Sequence, residues 1–333
     1  MKLNMKLNMK SHWMQIDSDQ TTLALNETPQ PEPGPHQVLI RVRAASLNRG
    51  EFITAHGLHK PGASKAIGME AAGEVVRCGA GVSLKPGDAV MGRCTGAFAE
   101  YAVMDERESL AKPPGLSWEE AASVPLTFLV VHDMLVLQGR LQAHEWVLIN
   151  GVSSGVGAAA LQTAKALGAK VIGTSGSQAK LDALKAQGLD VGLCTRGADF
   201  HDAVMQATNN QGVNLVVNTV GGSVFAEAVR CMAFEGRLAT VGYVDGVLKG
   251  EMDIQALHAK RLTLFGVSNK LRSPEQRAQG LPAFRAQMLP LFAAGKIRPV
   301  IDRVFPFDQL AAAKAHMESN QHLGKIVLAG SAD

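Results

Sequence analysis

The sequence predicts an α/β protein of two domains, a small β-rich barrel and a doubly wound parallel sheet covered by helices. Three observations carry this. A chain of 333 residues is too long for one small core and comfortable for two. Its first third alternates short apolar runs with turn residues. From Trp146 onward, continuous apolar strand-like runs alternate with helical segments, the pattern of a parallel sheet buried on both faces.

The elements follow in order. The opening MKLNMKLNMK is a tandem repeat with positive charge and no apolar centre, so it reads as a frayed or redundant terminus, neither signal peptide nor anchor. Val38 to Ala44 alternates as a half-buried strand. Gly57, Pro61-Gly62, Gly79-Ala80-Gly81 and Pro86-Gly87-Asp88 punctuate the next runs, and Gly96 to Val103 reads as a strand pair. Ser117-Trp118-Glu119-Glu120 is a capping box, in which serine accepts a backbone N–H and the second glutamate reaches back. Two helices are expected between Ala121 and Leu137, meeting at Pro125. Strands at Val147–Ile149, Lys170–Gly173, Val213–Val220, Arg237–Val241 and Leu262–Val267 then alternate with helices, among them Gly155–Leu167 and Ala179–Ala186. A helix at Leu281–Ala294, a strand at Val300–Phe307, a helix at Gln309–Met317 and a strand at Lys325–Leu328 close the chain.

Composition excludes several classes. Hydrophobic residues are 46% and charged residues 19%, an ordinary globular balance. A net charge of +3, with no basic stripe interleaved with aromatics, gives no footprint for nucleic acid or an anionic membrane. Cys78, Cys94, Cys194 and Cys231 lie far apart with no Cys-x-x-Cys, so neither a disulfide framework nor a closed zinc site is expected. No apolar run reaches the roughly 18 residues of a bilayer span. A cytoplasmic location is the expectation.

Asn150-Gly151-Val152-Ser153-Ser154-Gly155-Val156-Gly157 stands where the first strand of the parallel sheet turns into a helix. Small residues there let the backbone approach a pyrophosphate, whose charge meets the N–H groups of the helix start. Val152 and Ser154 break the strict G-x-G-x-x-G fingerprint, and a tight structural turn would look the same. The surrounding strand–loop–helix–strand context favours a dinucleotide site, with Ser154, Gly155 and Val156 at the phosphates. The second strand ends in Thr174-Ser175-Gly176-Ser177, followed by Lys180, where an NAD site usually carries an acid for the ribose hydroxyls. Hydroxyls and a cation favour a 2′-phosphate and hence NADPH. Lys180 also has the simpler reading of a solvated helix charge.

These segments resemble the medium-chain dehydrogenase/reductases, in the zinc-free quinone oxidoreductase and zeta-crystallin branch. The resemblance runs through Ala45-Ser46-Leu47-Asn48, Gly68-Met69-Glu70-Ala71-Ala72-Gly73, Pro86-Gly87-Asp88-Ala89-Val90 and Gly96-Ala97-Phe98-Ala99-Glu100-Tyr101. It continues through Glu120 to Pro125, the phosphate loop, Asn218-Thr219-Val220-Gly221-Gly222, Gly236-Arg237-Leu238 and Gly324-Lys325-Ile326-Val327. Ala97 to Leu126 also looks like the enoyl reductase domains of polyketide synthases. The resemblance implies a GroES-like barrel over 1–128, completed by 270–333, and a Rossmann NADP(H)-binding domain over 129–269, with the chemistry in a cleft between them. In zinc-dependent relatives a Cys stands at the position of Asn48 and a His at that of Met69, so it implies no catalytic metal.

It also implies the site. Asn48 and Thr127 would line nicotinamide and substrate, the Asn48 amide donating to developing charge on oxygen. A turn asparagine and a threonine bonded to its own helix are the ordinary alternatives. Thr195, Thr219, Val241, Gly242, Tyr243 and Ser268 would complete the cofactor contacts at strand ends, and Lys325 would help bind cofactor phosphate or be simply exposed. Glu51 replaces the usual Asp of the first motif, Ile53 a frequent Tyr, and Thr195 a Tyr that stacks near the 2′-phosphate. No proton donor stands out; His56 and solvent are the candidates. The function implied is an NADPH-dependent reductase of quinones or α,β-unsaturated carbonyls, with an enoyl-thioester reductase, a zinc alcohol dehydrogenase or a non-catalytic NADPH-binding protein as rivals. A homodimer formed through the sheet edge near Leu262 to Phe265 is expected, with no nucleic-acid or membrane partner.

Overall fold

The structure is a computed structural model and describes residues 7–17, 20–52 and 64–331. Ile53, His56, Gly57, Pro61-Gly62 and the first six residues of the tandem repeat lie outside the described residues. The chain divides into two compact units: Met1–Leu126, Arg272–Ala293 and Ile301–Asp333 form the barrel unit, and Thr127–Leu271 with Ala294–Val300 form the sheet unit. Residues 294–300 thus group with the sheet unit rather than with the other C-terminal residues. There the Arg298 backbone N–H donates to Gln162 Oε1 at 2.7 Å.

The barrel unit begins with a hairpin, β1 (Asn8–Asp17) and β2 (Gln20–Pro29), to which β4 (Ser64–Ala66) adds on the far side of β1. This corrects the frayed reading for Asn8-Met9-Lys10, which pair with Pro29, Thr28 and Glu27. Met9 is buried, and Met14 on the same strand reaches the core, so pairing across β2 fixes what the repeat alone left open.

Strands β3 (Gln37–Ser46), β5 (Glu70–Cys78), β6 (Ala89–Thr95) and β7 (Tyr101–Ala111) pair antiparallel in that order, and β7 returns to β3, closing the barrel. The C-terminal end of β3 pairs with β15 (Lys325–Ala329), which pairs parallel with β14 (Ile301–Phe305). The predicted strand pair at Gly96–Val103 is instead mostly the turn between β6 and β7. Gly96 there has φ +71°, a left-handed conformation glycine adopts without a Cβ clash. Val38, Ile40, Val42, Val75, Phe98, Met104 and Ile326 fill the barrel.

Helix α1 (Trp118–Ala122) starts on the expected capping box: the Glu120 N–H donates to Ser117 Oγ and the Ser117 N–H to Glu120 Oε2. Pro125 opens α2 (Pro125–His132), which runs into a π-helical turn at Asp133–Leu137.

In the sheet unit, β8 (Trp146–Asn150), β9 (Lys170–Ser175), β10 (Val191–Cys194), β11 (Val213–Asn218), β12 (Met232–Thr240) and β13 (Thr263–Gly266) are all parallel. Their order is β10-β9-β8-β11-β12-β13, so the chain winds outward first on one side of β8 and then on the other. That is the doubly wound order of a Rossmann sheet, with its switch point between β8 and β11. Helices α3 (Gly155–Ala166), α4 (Gln178–Lys185), α5 (His201–Ala207), α6 (Phe225–Arg230) and α7 (Ile254–Ala259) make the connections. Leu148, Ile172, Val216 and Leu238, on four adjacent strands, are fully buried. The long C-terminal helix predicted from Leu281 breaks into Leu281–Gln287 and Leu289–Ala293, because Pro290 cannot donate within a continuous helix. No helix among the described residues is long and apolar enough to cross a membrane.

Candidate functional site

Parallel strands bring all their carboxyl ends to one edge, and in the sheet unit that edge gathers most of the predicted residues. At the end of β8 the chain turns through Gly151, whose φ is +78°. Ser154 caps α3, its Oγ accepting the Gly157 N–H at 3.0 Å. The hydroxyl hydrogen and the first-turn N–H groups of Gly155 and Val156 have no acceptor within the helix ladder and suit an anion. A Cβ on Gly157 would stand 2.3 Å from the Gly151 carbonyl oxygen, so the loop is tight against its helix.

β9 delivers Thr174, Ser175 and Gly176. Thr174 Oγ1 accepts the Gly151 N–H at 3.2 Å, and the Ser175 and Ser153 hydroxyls lie 3.1 Å apart. Both serve the loop, so their roles are shared between fold and ligand. Gly176 is exposed, and a Cβ there would lie 2.3 Å from Arg196 Nε and 2.6 Å from its Cζ. Arg196, which the sequence reading missed, therefore lays its guanidinium directly on Gly176. Its signal was position alone, two residues past the end of β10. Lys180 sits in the first turn of α4 and its backbone N–H faces the Ser177 cap at 3.5 Å. Thr195 Oγ1 donates to Asp199 at 2.5 Å and accepts the Gly197 N–H, which holds the loop that carries Arg196.

The later strands add less. Thr219 donates its hydroxyl to the Asn150 carbonyl at 2.7 Å, bracing the phosphate loop rather than facing outward. The Val241 N–H continues the ladder to Asn218 O, and Gly242 follows it. Tyr243 and Ser268 are exposed at the ends of their strands. Asn150 is fully buried in register between Thr174 and Asn218, and neither Nδ2 nor Oδ1 of its amide has a hydrogen-bond partner. Such a group calls for a water or ligand atom. The glycine cradle, the helix-start amides and the cation on Gly176 fit a dinucleotide carrying a phosphorylated ribose.

The barrel unit holds a separate polar cluster. Asn48, just past β3, has its amide Nδ2 3.0 Å from Glu51 Oε1 and 2.8 Å from Glu70 Oε1. Its Oδ1 accepts from Lys325 Nζ at 2.8 Å. Lys325 also donates to Glu70 Oε1 at 3.0 Å and to the Leu47 carbonyl at 3.1 Å. Glu70 Oε2 accepts the N–H of Leu126 in the first turn of α2, on which Thr127 is the next residue and is buried. Glu51, Glu70 and Lys325 are each at most 6% exposed, so these are interior charges.

Two expectations are corrected here. Both amide hydrogens of Asn48 go to carboxylates, so it has none to donate to a substrate oxygen. Lys325 is neither exposed nor available to phosphate, because its three hydrogens meet three internal acceptors. Sequence could not show this, since Glu70 and Lys325 lie 22 and 277 residues from Asn48. Burial pushes the Glu51 carboxyl up to about 7; the nearby Glu70 charge adds to this, while the Asn48 hydrogen bonds and Lys325 oppose it. Among the described residues no three His, Cys, Asp or Glu side chains group as metal ligands.

Comparison with known proteins agrees with this architecture. Residues 34–114 match the alcohol dehydrogenase GroES-like domain and residues 155–282 the zinc-binding dehydrogenase domain. The spectinabilin polyketide synthase system protein NorB of Streptomyces orinoci is 35% identical over 88% of this chain, although the chain spans only 13% of that protein's length. Mycobacterial Rv1454c complexed with NADPH superposes with a TM-score of 0.85 at 26% identity, covering 96% of this chain and 99% of that one. A quinone oxidoreductase of Pseudomonas syringae gives 0.85 at 25% identity, covering 97% and 100%. The CurK enoyl reductase gives 0.82 at 25% identity, covering 96% and 98%. With a closed GroES-like barrel, a Rossmann sheet in the doubly wound order and both domain models matched, the chain belongs to the medium-chain dehydrogenase/reductase superfamily of oxidoreductases.

Proposed function

We propose that the protein is an NADPH-dependent reductase that adds hydride to a quinone or to the β-carbon of an α,β-unsaturated carbonyl. The observation that carries the cofactor choice is the end of β9. Thr174-Ser175-Gly176 offers no carboxylate to repel a 2′-phosphate, and the Arg196 guanidinium lies on Gly176 with Lys180 in the next helix. Charge-assisted bonds from a guanidinium fork suit a phosphate monoester and gain little from a bare ribose hydroxyl. The NADPH held by the Rv1454c structure supports the same reading.

NADPH supplies the hydride when bound. Ser154 and the α3 amides would hold its pyrophosphate, and Arg196 and Lys180 its ribose phosphate. Thr127 would donate to the substrate oxygen as charge develops there, because both amide hydrogens of Asn48 already meet carboxylates. Glu70 accepts the N–H of Leu126, the residue before Thr127.

The likeness to NorB and to CurK favours a second acceptor class, an enoyl thioester, reduced by the same chemistry. A screen of NADPH oxidation against quinones, enones and enoyl thioesters, repeated with NADH, separates these. Turnover of quinones or enones supports the proposal, and turnover of thioesters alone shifts it to the second reading. Tight NADPH binding without turnover of any acceptor would instead make the chain a non-catalytic binding protein. We also expect a homodimer, because β13 ends the sheet among the described residues and a second copy would complete that edge. Sedimentation showing only monomer would rule that out.

A further inference from the structure

Arg196 is exposed, and a long side chain on a loop gives up rotamer and backbone freedom when it meets a ligand. Two features of the loop limit that loss in advance. The first lies beneath the side chain. Gly176, just past β9, has no Cβ where one would stand 2.3 Å from Arg196 Nε and 2.6 Å from its Cγ and Cζ. The bare backbone is therefore a seat that any larger residue would fill.

The second feature is the chain on either side of Arg196. Before it, the Thr195 N–H donates to the Ser175 carbonyl at 3.0 Å, which holds the loop to the end of β9 one residue past the paired Cys194. After it, the Gly197 N–H donates to Thr195 Oγ1 at 3.0 Å, and Thr195 Oγ1 donates to Asp199 Oδ1 at 2.5 Å. Phe200 follows, buried, and leads into α5. One hydroxyl thus ties together both ends of the span from Thr195 to Asp199, with Arg196 inside it. That hydroxyl has a single hydrogen, and Asp199 takes it. A phosphate dianion offers only acceptors, so in this arrangement Thr195 serves the loop and not the ligand.

We propose that Thr195, through its bond to Asp199, is a specificity-determining positioning residue that holds the Arg196 guanidinium over Gly176, set in advance for a 2′-phosphate. This rests on the reading above that the carboxyl edge of the sheet unit receives NADPH. A guanidinium fork is directional, so a loosened loop spoils its charge-assisted bonds to a phosphate. A bare ribose hydroxyl gains little from the fork and loses little with it. The effect of Thr195 therefore falls on ligands that carry the 2′-phosphate.

The test measures dissociation constants on the whole protein by calorimetry. The ligands are NADPH and NADH, and the fragments adenosine 2′,5′-bisphosphate and adenosine 5′-monophosphate, which differ only in the 2′-phosphate. Thr195→Val removes the hydroxyl at nearly unchanged volume. It should weaken NADPH and the bisphosphate by about 2- to 10-fold, the range of one lost hydrogen bond, and leave NADH and the monophosphate unchanged. Thr195→Ser keeps the hydroxyl and should keep the wild-type preference. Gly176→Ala fills the seat and should lower the same preference with the Thr195–Asp199 bond intact. Added to Arg196→Ala, Thr195→Val should cause no further loss, because its effect runs through the guanidinium. Equal weakening of all four ligands by Thr195→Val, or a loss that adds to that of Arg196→Ala, overturns the proposal. If Arg196→Ala abolishes the preference and Thr195→Val leaves it intact, this proposal fails and the NADPH reading stands. If Arg196→Ala itself leaves the preference intact, the NADPH reading fails and takes this proposal with it.

Discussion

The polar cluster after β3 buries charge, whereas the turn between β8 and α3 is held by hydroxyls, a buried amide and tightly turned backbone. In the barrel unit, Asn48, Glu51, Glu70 and Lys325 satisfy one another with donors and acceptors brought from three separate strand ends. In the sheet unit, Thr174, Ser153, Ser175 and Thr219 tie a glycine loop together, and the Asn150 amide lacks a partner. A closed ionic cluster leaves little capacity for new partners, while an open neutral row keeps donors for a ligand. The contrast separates a cluster whose donors meet internal acceptors from a loop that keeps donors open.

The comparison predicts effects of unequal size. Lys325→Met should destabilise most, by about 3–5 kcal/mol in denaturant unfolding, because it strands a buried carboxylate. Adding Glu70→Gln to it should recover a clear part of that loss; an additive double variant would break the cluster account. Gly157→Ala should cost about 1–3 kcal/mol, since its Cβ would press on the Gly151 carbonyl oxygen. The same change should weaken NADPH binding, which Lys325→Met should disturb less at equal folded fraction. Ser117→Ala removes one half of the capping box and should lower stability by about 1 kcal/mol, leaving cofactor affinity unchanged.

Legibility in the sequence followed the same division. The parallel strands announced themselves because burial on both faces makes them continuous apolar runs, and Leu148-Ile149 and Val216-Val217 are fully buried. The hairpin of β1 and β2 went unread, because its alternation hides inside a polar repeat and its stability comes from pairing. At the candidate site, the turn from β8 into α3 was readable from local spacing, strand then glycines then helix. The roles of Asn48 and Lys325 were not, because both depend on where distant acids lie. Arg196 was passed over for Thr195 beside it, since only the structure shows the guanidinium resting on Gly176.

On the proposed function, the sheet unit reads a 2′-phosphate through Arg196. Dissociation constants for NADPH and NADH, measured by calorimetry on the wild type and on Arg196→Ala, test it most directly. The account predicts that wild type prefers NADPH and that Arg196→Ala loses about tenfold or more in NADPH affinity. NADH affinity should be unchanged, so the preference should collapse. Equal affinity of wild type for the two cofactors, or an Arg196→Ala variant that keeps its preference, would contradict the account.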